Sequence, residues 1–236
     1  MRSDQLLALF QRGFIPGPHE SEEAFLMRVQ SRPSLSLPEW QEIASSLQRE
    51  WGFSIDWVPI TYSAKKLLPW EGALFWIQED GNPLIQLRRS LQSKKMWGNS
   101  RPEILLHEAI HAARETFNEP RFEEFLAYTT SHTSWKRWLG PLFQRPWEFP
   151  LFALAVFGIA LFPLASCLIL AFFIGRSFYN HYLFYSLKKK IPLPILLCLT
   201  DSEIRRGNPF QEKVNSETAG TLRLQLIEVL RKEFPF

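Results

Sequence analysis

Cysteine is scarce in this chain of 236 residues: Cys167 and Cys198 are its only two. Neither has the spacing of a metal knuckle or a redox pair, and two cysteines cannot build a disulfide framework. A stapled secreted mini-domain is therefore excluded, and a reducing compartment is expected. A basic arm is also lacking. Net charge is only +3, and the lysines and arginines are not interleaved with aromatics, so no nucleic-acid partner is expected. Internal repeats and low-complexity tracts are missing. The N-terminal apolar run is short and has no small-residue cleavage site, so no signal peptide is expected.

Charged residues make up 22% and hydrophobic ones 46% of the chain, a balance that sets disorder aside in favour of a globular fold. Composition separates three regions: a mixed one over 1–145, an apolar and aromatic one over 146–187, and a polar one over 188–236. In the first, helices are expected around Ser3–Gln11, 21–31 and 37–51. Pro38 suits a first turn, and Trp40, Ile43, Ala44 and Leu47 recur on one face. From Phe53 the pattern changes to short runs rich in aromatic and β-branched residues: "FSIDWVPITYS", "GALFWIQ" and "PLIQLRR". The turn signal "EDGN" lies between the last two, and a small antiparallel sheet is expected.

Next comes "RPEILLHEAIHAARETFNEPRFEEFLAY", residues 101–128. Ser100 can cap a helix here, Pro102 suits its first turn and Glu103 complements the positive end of its dipole. Residues 118–120 end it, and a second helix follows from about Arg121. The first helix holds His107, Glu108 and His111 as H-E-x-x-H. Residues four apart share a helix face, so the two imidazoles can address one point. Two such nitrogens are half of a tetrahedral zinc shell. Glu108, one residue away, borders that face and can take a proton from a water acidified by the metal. Chance yields such a motif in about one chain in a hundred of this composition. The apolar neighbours make a buried helix, in which unpaired imidazoles are costly and a metal would satisfy them.

A third ligand is needed from outside this helix. Glu115 continues the same face, but three groups in line close a tetrahedral shell poorly. Glu123 and Glu124 lie beyond the proline turn and both are open to the role. The stretch resembles the gluzincin zinc metallopeptidases, in which H-E-x-x-H is completed by a glutamate on a following helix. Membrane-bound members related to the CAAX-processing proteases carry that glutamate as E-x-x-A-D. Here Glu124 matches the ligand and Ala127 the small residue, while Tyr128 stands where the family has aspartate. A metzincin is excluded, because Arg114 and Phe117 replace the required glycine and third histidine.

The resemblance implies an α+β zincin-like fold over 1–145, with a small sheet packed on helices and an edge strand that pairs with peptide substrate. "GALFWIQ" and "PLIQLRR" are the candidates for that strand. It implies Zn²⁺ on His107, His111 and Glu124, with Glu108 as general base and Glu123 as the alternative ligand. A donor for the developing oxyanion is also required. His132, Tyr128, Tyr179, His181 and Arg205 are the candidates. The activity implied is peptide-bond hydrolysis. The other reading is a membrane-associated scaffold or regulator on a degenerate peptidase fold.

The second strong signal is "PLFALAVFGIALFPLASCLILAFFIG", residues 150–175, which holds no charged residue. It is long enough to cross a hydrocarbon core, which takes roughly 20 apolar residues. Trp147 precedes it, and Tyr179, Tyr182 and Tyr185 follow, as in an interfacial aromatic belt. Basic residues flank both sides: Lys136, Arg137 and Arg145 before it, Arg176 and residues 188–190 after it. A hairpin turning near Pro163 satisfies the positive-inside tendency on both flanks better than a single span does. The expectation is an inner or plasma membrane location, the lipid bilayer as partner, and a cytoplasmic catalytic domain. In 188–236, Thr200-x-x-Glu203 reads as a capping box, and a last amphipathic helix is expected over about 216–233.

Overall fold

Local capping chemistry sets several of the helix boundaries. The computed structural model describes residues 1–68, 71–93, 95–96, 99–145, 147–207 and 221–235. The N-terminal helices are α1 (Ser3–Gln11), α2 (Glu22–Gln30) and α3 (Pro38–Trp51). The Ser21 side chain accepts from the Ala24 amide to start α2. Pro38 opens α3, and Gly52, at φ 74°, ends it in the left-handed conformation that favours glycine. Trp40, Ile43, Leu47 and Trp51 form the buried stripe of α3.

The strands are β1 (Ile60–Tyr62), β2 (Ala73–Ile77) and β3 (Pro83–Leu87), followed by the short pair β4 (Lys95–Met96) and β5 (Asn99–Ser100). Then come α4 (Arg101–Ala113), α5 (Pro120–Tyr128), α6 (Ser134–Leu139), α7 (Glu148–Gly158) and α8 (Pro163–Lys188). The chain closes with α9 (Leu193–Leu197), α10 (Asp201–Arg206) and α11 (Leu222–Glu233). The fold is α+β. Residues 216–220 of the expected last helix lie outside the described residues.

The sheet corrects one expectation: it is mixed, not antiparallel. Its order is β1-β3-β2, with β2 antiparallel to β3 and β1 parallel to it. The turn at 78–82 explains the first pairing. Gly81 has φ 79°, and Asp80 accepts from both the Asn82 amide and its side chain. The second pairing arises because residues 63–72 carry the chain across to the far side of β3, as parallel neighbours require. Only Ile60–Tyr62 of the expected first strand joins the ladder. Upstream, Phe53, Ile55 and Trp57 are buried, but that backbone is held by helices. The Ser54 amide donates to the Gln11 carbonyl, and Val58 O accepts from Trp40 Nε1.

The chain forms two compact units. The first comprises Met1–Asn118, Pro192–Cys198 and the described residues of Glu212–Phe236; the second comprises Glu119–Ile191 and the described residues of Leu199–Gln211. In the first, α4 packs beside β2 and on α3, and α11 packs on α1 and α9. Two buried arginines secure α9: Arg114 Nη1 donates to Leu197 O over 2.6 Å and Arg223 Nη1 to Cys198 O over 2.8 Å. Cations at the C-terminal end of a helix complement its dipole.

In the second unit, α7 and α8 form a helical hairpin. Pro163 is the first residue of α8, where a proline needs no amide partner, so it starts a helix after the break at 159–162 rather than kinking one. Among the described residues, α8 is the one helix long and apolar enough to cross a membrane, and α7 is a shorter apolar helix. Glu148 at the start of α7 and Arg176 in α8 pair at 2.7 Å.

Candidate metal centre

The H-E-x-x-H residues lie on α4 as the spacing requires. Ser100 caps this helix by accepting from the Glu103 amide, and Pro102 sits in its first turn. Leu105, Ala109, Ile110, Ala112 and Ala113 anchor its buried side. His107 and His111 sit half-buried on the next face. Their Nε2 atoms are 3.1 Å apart and the rings meet at 65°. Two ligands at zinc–nitrogen lengths of about 2.0–2.1 Å in a tetrahedral shell stand roughly 3.3 Å from each other. The pair is therefore spaced for one ion with little adjustment.

Burial first, and the neighbouring His111 second, push the His107 imidazole well below its usual range. Both effects favour the neutral ring, which is the form that ligates a metal. Glu108 is buried, 7% exposed, one position along. Helix α4 ends at Ala113, earlier than expected. Arg114 turns its side chain to the Leu197 carbonyl, and Asn118 takes φ 50° on the way to the next helix.

Glu115 is committed elsewhere. Its side chain is 3% exposed and accepts from Arg28 Nη1 at 2.8 Å, and Arg32 lies 3.7 Å from its other oxygen. Arg28 also bonds Glu20. These partners account for Glu115 without a metal.

Helix α5 carries Glu123 and Glu124. Its first position is Pro120, which has no amide to satisfy. The next two amides, of Arg121 and Phe122, donate to the two carboxylate oxygens of Asp201 at 2.9 and 3.1 Å. Asp201 opens α10, and its own amide donates to Glu119 Oε2 at 2.7 Å. The two helices thus cap each other, eighty residues apart in sequence. The Arg121 guanidinium then binds Asn180 Oδ1 of α8 through Nε and Nη2, at 3.0 and 2.7 Å. Phe122, Phe125, Leu126 and Ala127 are buried beneath α5. Ala127 occupies the small-residue position and is fully buried.

One ligand atom from each of His107, His111 and Glu124 lies within 4.8 Å of the others, so this group can hold a metal ion. Two imidazoles and one carboxylate are a donor set suited to zinc, with a fourth position left for water or substrate. Glu123, the alternative ligand, is not in the group.

The residues considered as oxyanion donors fall into different surroundings. His132 and Arg205 are exposed. Tyr179 is 53% exposed on α8. His181 is buried, stacked on Trp138 at 4.3 Å and edge-on to Phe125 at 4.8 Å. Its Nδ1–H donates to Ser177 O over 2.8 Å, which marks it as a packing residue of the second unit. Tyr128 lies against Gly140, where a Cβ would overlap its ring.

Sequence reasoning missed Asp201, Glu119 and the Arg121–Asn180 bond. The only local signal was the Thr200-x-x-Glu203 box, which is formed as expected and announces that a helix starts at Asp201. Searches against protein-family models, curated proteins and solved structures find no match.

Proposed function

We propose that this protein is a membrane-anchored zinc metallopeptidase of gluzincin type, with a zincin-like fold around α4. The observation that carries the reading is the convergence of His107, His111 and Glu124 within 4.8 Å. His107 and His111 hold the ion from one helix face, and Glu124 completes the shell from the capped helix α5. A bound zinc ion supplies Lewis acidity, lowering the pKa of a water and polarising a carbonyl. Glu108, one position along the helix from His107, would take a proton from the attacking water and return it to the departing amine.

Substrate is a peptide segment in extended form. Among the described residues β2 is an edge strand, since β3 is its only ladder partner, and α4 packs beside it. A peptide can add to that edge through backbone hydrogen bonds. "PLIQLRR" is excluded from this role because β3 has neighbours on both sides. The apolar helices α7 and α8 tie the chain to a lipid bilayer, with the metal group on the cytoplasmic side of an inner or plasma membrane.

A second reading has its own support. Tyr128 stands in the position where the resemblance would have aspartate, with its ring against Gly140. A phenol lacks the carboxylate that usually orients a metal-bound histidine. A membrane-associated scaffold or regulator on a degenerate peptidase fold would tolerate that change.

Metal analysis and a peptide-library cleavage assay separate the readings. One zinc per chain is expected in the purified protein, lost in His111→Ala. Glu108→Gln is expected to keep the metal and lose hydrolysis by 10²-fold or more, on the order of a general-base contribution. Full activity in Glu108→Gln would remove that residue from the chemistry. Metal without cleavage in the natural chain would favour the scaffold.

A further inference from the structure

The hairpin of α7 and α8 is antiparallel along its length. Phe152 and Phe173 meet edge to face at 5.7 Å, and Gly158 sits so close to Ser166 that an added Cβ would lie 2.9 Å from Oγ. At the base, Arg176 binds both oxygens of Glu148 at 2.7 Å and also donates to Leu142 O. Toward the tip, large apolar side chains point outward without cover. Phe157, Leu161 and Leu164 are 81, 77 and 74% exposed. Residues 149–175 hold no charge at all, and burying such a surface against water-soluble neighbours would leave no polar rim.

The two halves of α8 have different commitments. Beyond Arg176 one face of the helix is packed on the protein, with Asn180, His181, Phe184 and Leu187 buried, while Phe178, Tyr179 and Tyr182 on the other face are exposed. Asn180 is held by Arg121, and Phe125 contacts both His181 and Phe184. That half is fixed to α5 through this face, so it cannot be surrounded by lipid on all sides while these contacts hold. What remains is residues 163–175, about 20 Å at 1.5 Å per residue, and α7, about 16 Å. A hydrocarbon core is about 30 Å thick, so one leaflet is roughly 15 Å. Neither arm spans; α7 is close to the depth of one leaflet, and the longer arm matches it at a tilt of roughly 40°.

The charge pattern agrees. Arg145, Glu148 and Arg176 all lie at the base of the hairpin. Lys189 and Lys190 are exposed just past α8. Trp147 and Tyr182, 55 and 72% exposed, flank the arms where an interfacial belt belongs.

We propose that the α7–α8 hairpin is a one-leaflet anchor: it enters the bilayer from one face, carries its 159–162 tip toward the midplane, and returns without crossing. The proposal rests on the membrane reading given above, and replaces spanning by insertion.

Single cysteines in the full chain test it. Cys167→Ala removes the exposed thiol, and Cys198 is buried. Ser134→Cys, Leu161→Cys and Lys189→Cys are then introduced one at a time at exposed positions. Each protein is loaded from detergent onto the outside of preformed phosphatidylcholine–phosphatidylglycerol vesicles. A membrane-impermeant maleimide added outside is expected to label Ser134→Cys and Lys189→Cys fully. Leu161→Cys is expected to stay unlabelled until detergent is added. Labelling of Leu161→Cys or Lys189→Cys by a maleimide sealed inside the vesicles means that the chain crosses, and overturns the proposal. Free outside labelling of Leu161→Cys on floated vesicles means that the tip stays out of lipid, and overturns it too. Failure to float at all overturns the membrane reading itself. Protection of Leu161→Cys without vesicles, with a doubled mass in solution, assigns the surface to a second copy of the chain. None of these outcomes depends on metal or hydrolysis.

Discussion

Tyr128 shows how one side chain can fix a neighbour's identity. Its ring occupies the space where a Cβ at Gly140 would stand. Gly140 has an ordinary helical φ of −54°, so the glycine is required by the close approach and not by backbone conformation. Gly140→Ala is expected to lower stability by about 1–3 kcal/mol through overpacking. The ~0.4–1 kcal/mol gained by restricting the unfolded chain does not offset this. Urea melts would measure it, and adding Tyr128→Ala should recover part of the loss as a coupling between the two sites. No drop in the single variant would mean that the ring moves aside freely. At this scale the site was partly legible. His107 and His111 are paired by a spacing of four, which is geometry written in the sequence. The Glu115 exclusion was legible as well, but its cause was not: Arg28 lies 87 residues away.

At the scale of elements, boundaries governed by neighbours in sequence could be read. The α1 span, the Pro38 start of α3 and the Ser100 cap of α4 all rest on contacts within four residues. Pairings that depend on distant chain could not. The signal for the turn at 78–82 joins β2 to β3, yet nothing local says that β1 will run parallel on the far side. Helix α5 is the clearest case, because its N-terminal amides are satisfied by a carboxylate from α10. Asp201→Ala should therefore weaken a helix in which it takes no part. Loss of such a cap is worth about 0.5–2 kcal/mol. Fraying at Arg121 and Phe122 would loosen Glu124, so metal affinity measured by chelator competition should fall. Asp201→Asn, which keeps one acceptor oxygen, should recover some of that affinity. Unchanged affinity in Asp201→Ala would show that α5 is held well enough by its buried side and Arg121.

For the molecule as a whole, the proposed metal site would link ion binding to folding. An ion held only by the folded chain stabilises it by RT ln(1 + [L]/Kd), about 2.7 kcal/mol at a hundredfold excess over Kd. Chelation is expected to lower the thermal midpoint by several degrees, as a domain of this size responds to such a change. His111→Ala should melt at the same temperature with and without chelator. Equal melting of the natural chain in both conditions would mean that no ion contributes to the fold. Composition divides the chain at 1–145, 146–187 and 188–236, with the last region open to packing back on the first. By contact, the first unit takes in Pro192–Cys198 and the described residues of Glu212–Phe236, and the second takes in the described residues of Leu199–Gln211. Hydrogen bonds from Arg114 and Arg223 to successive carbonyls, on residues 197 and 198, hold one side of that crossing point. The carboxylate of Asp201 holds the other.

The reciprocal cap between Glu119 and Asp201 also has a consequence in time. A ribosome that has released residues 1–199 has already delivered both histidines, Glu108 and Glu124. The helix bearing Glu124 nonetheless has bare N-terminal amides until residue 201 emerges. The H-E-x-x-H helix can form early, from its own Ser100 cap, but the glutamate proposed to join it waits for residue 201. In the proposed reading, metal capture would follow the emergence of residue 201, after the apolar hairpin has left the exit tunnel and met whatever will receive it.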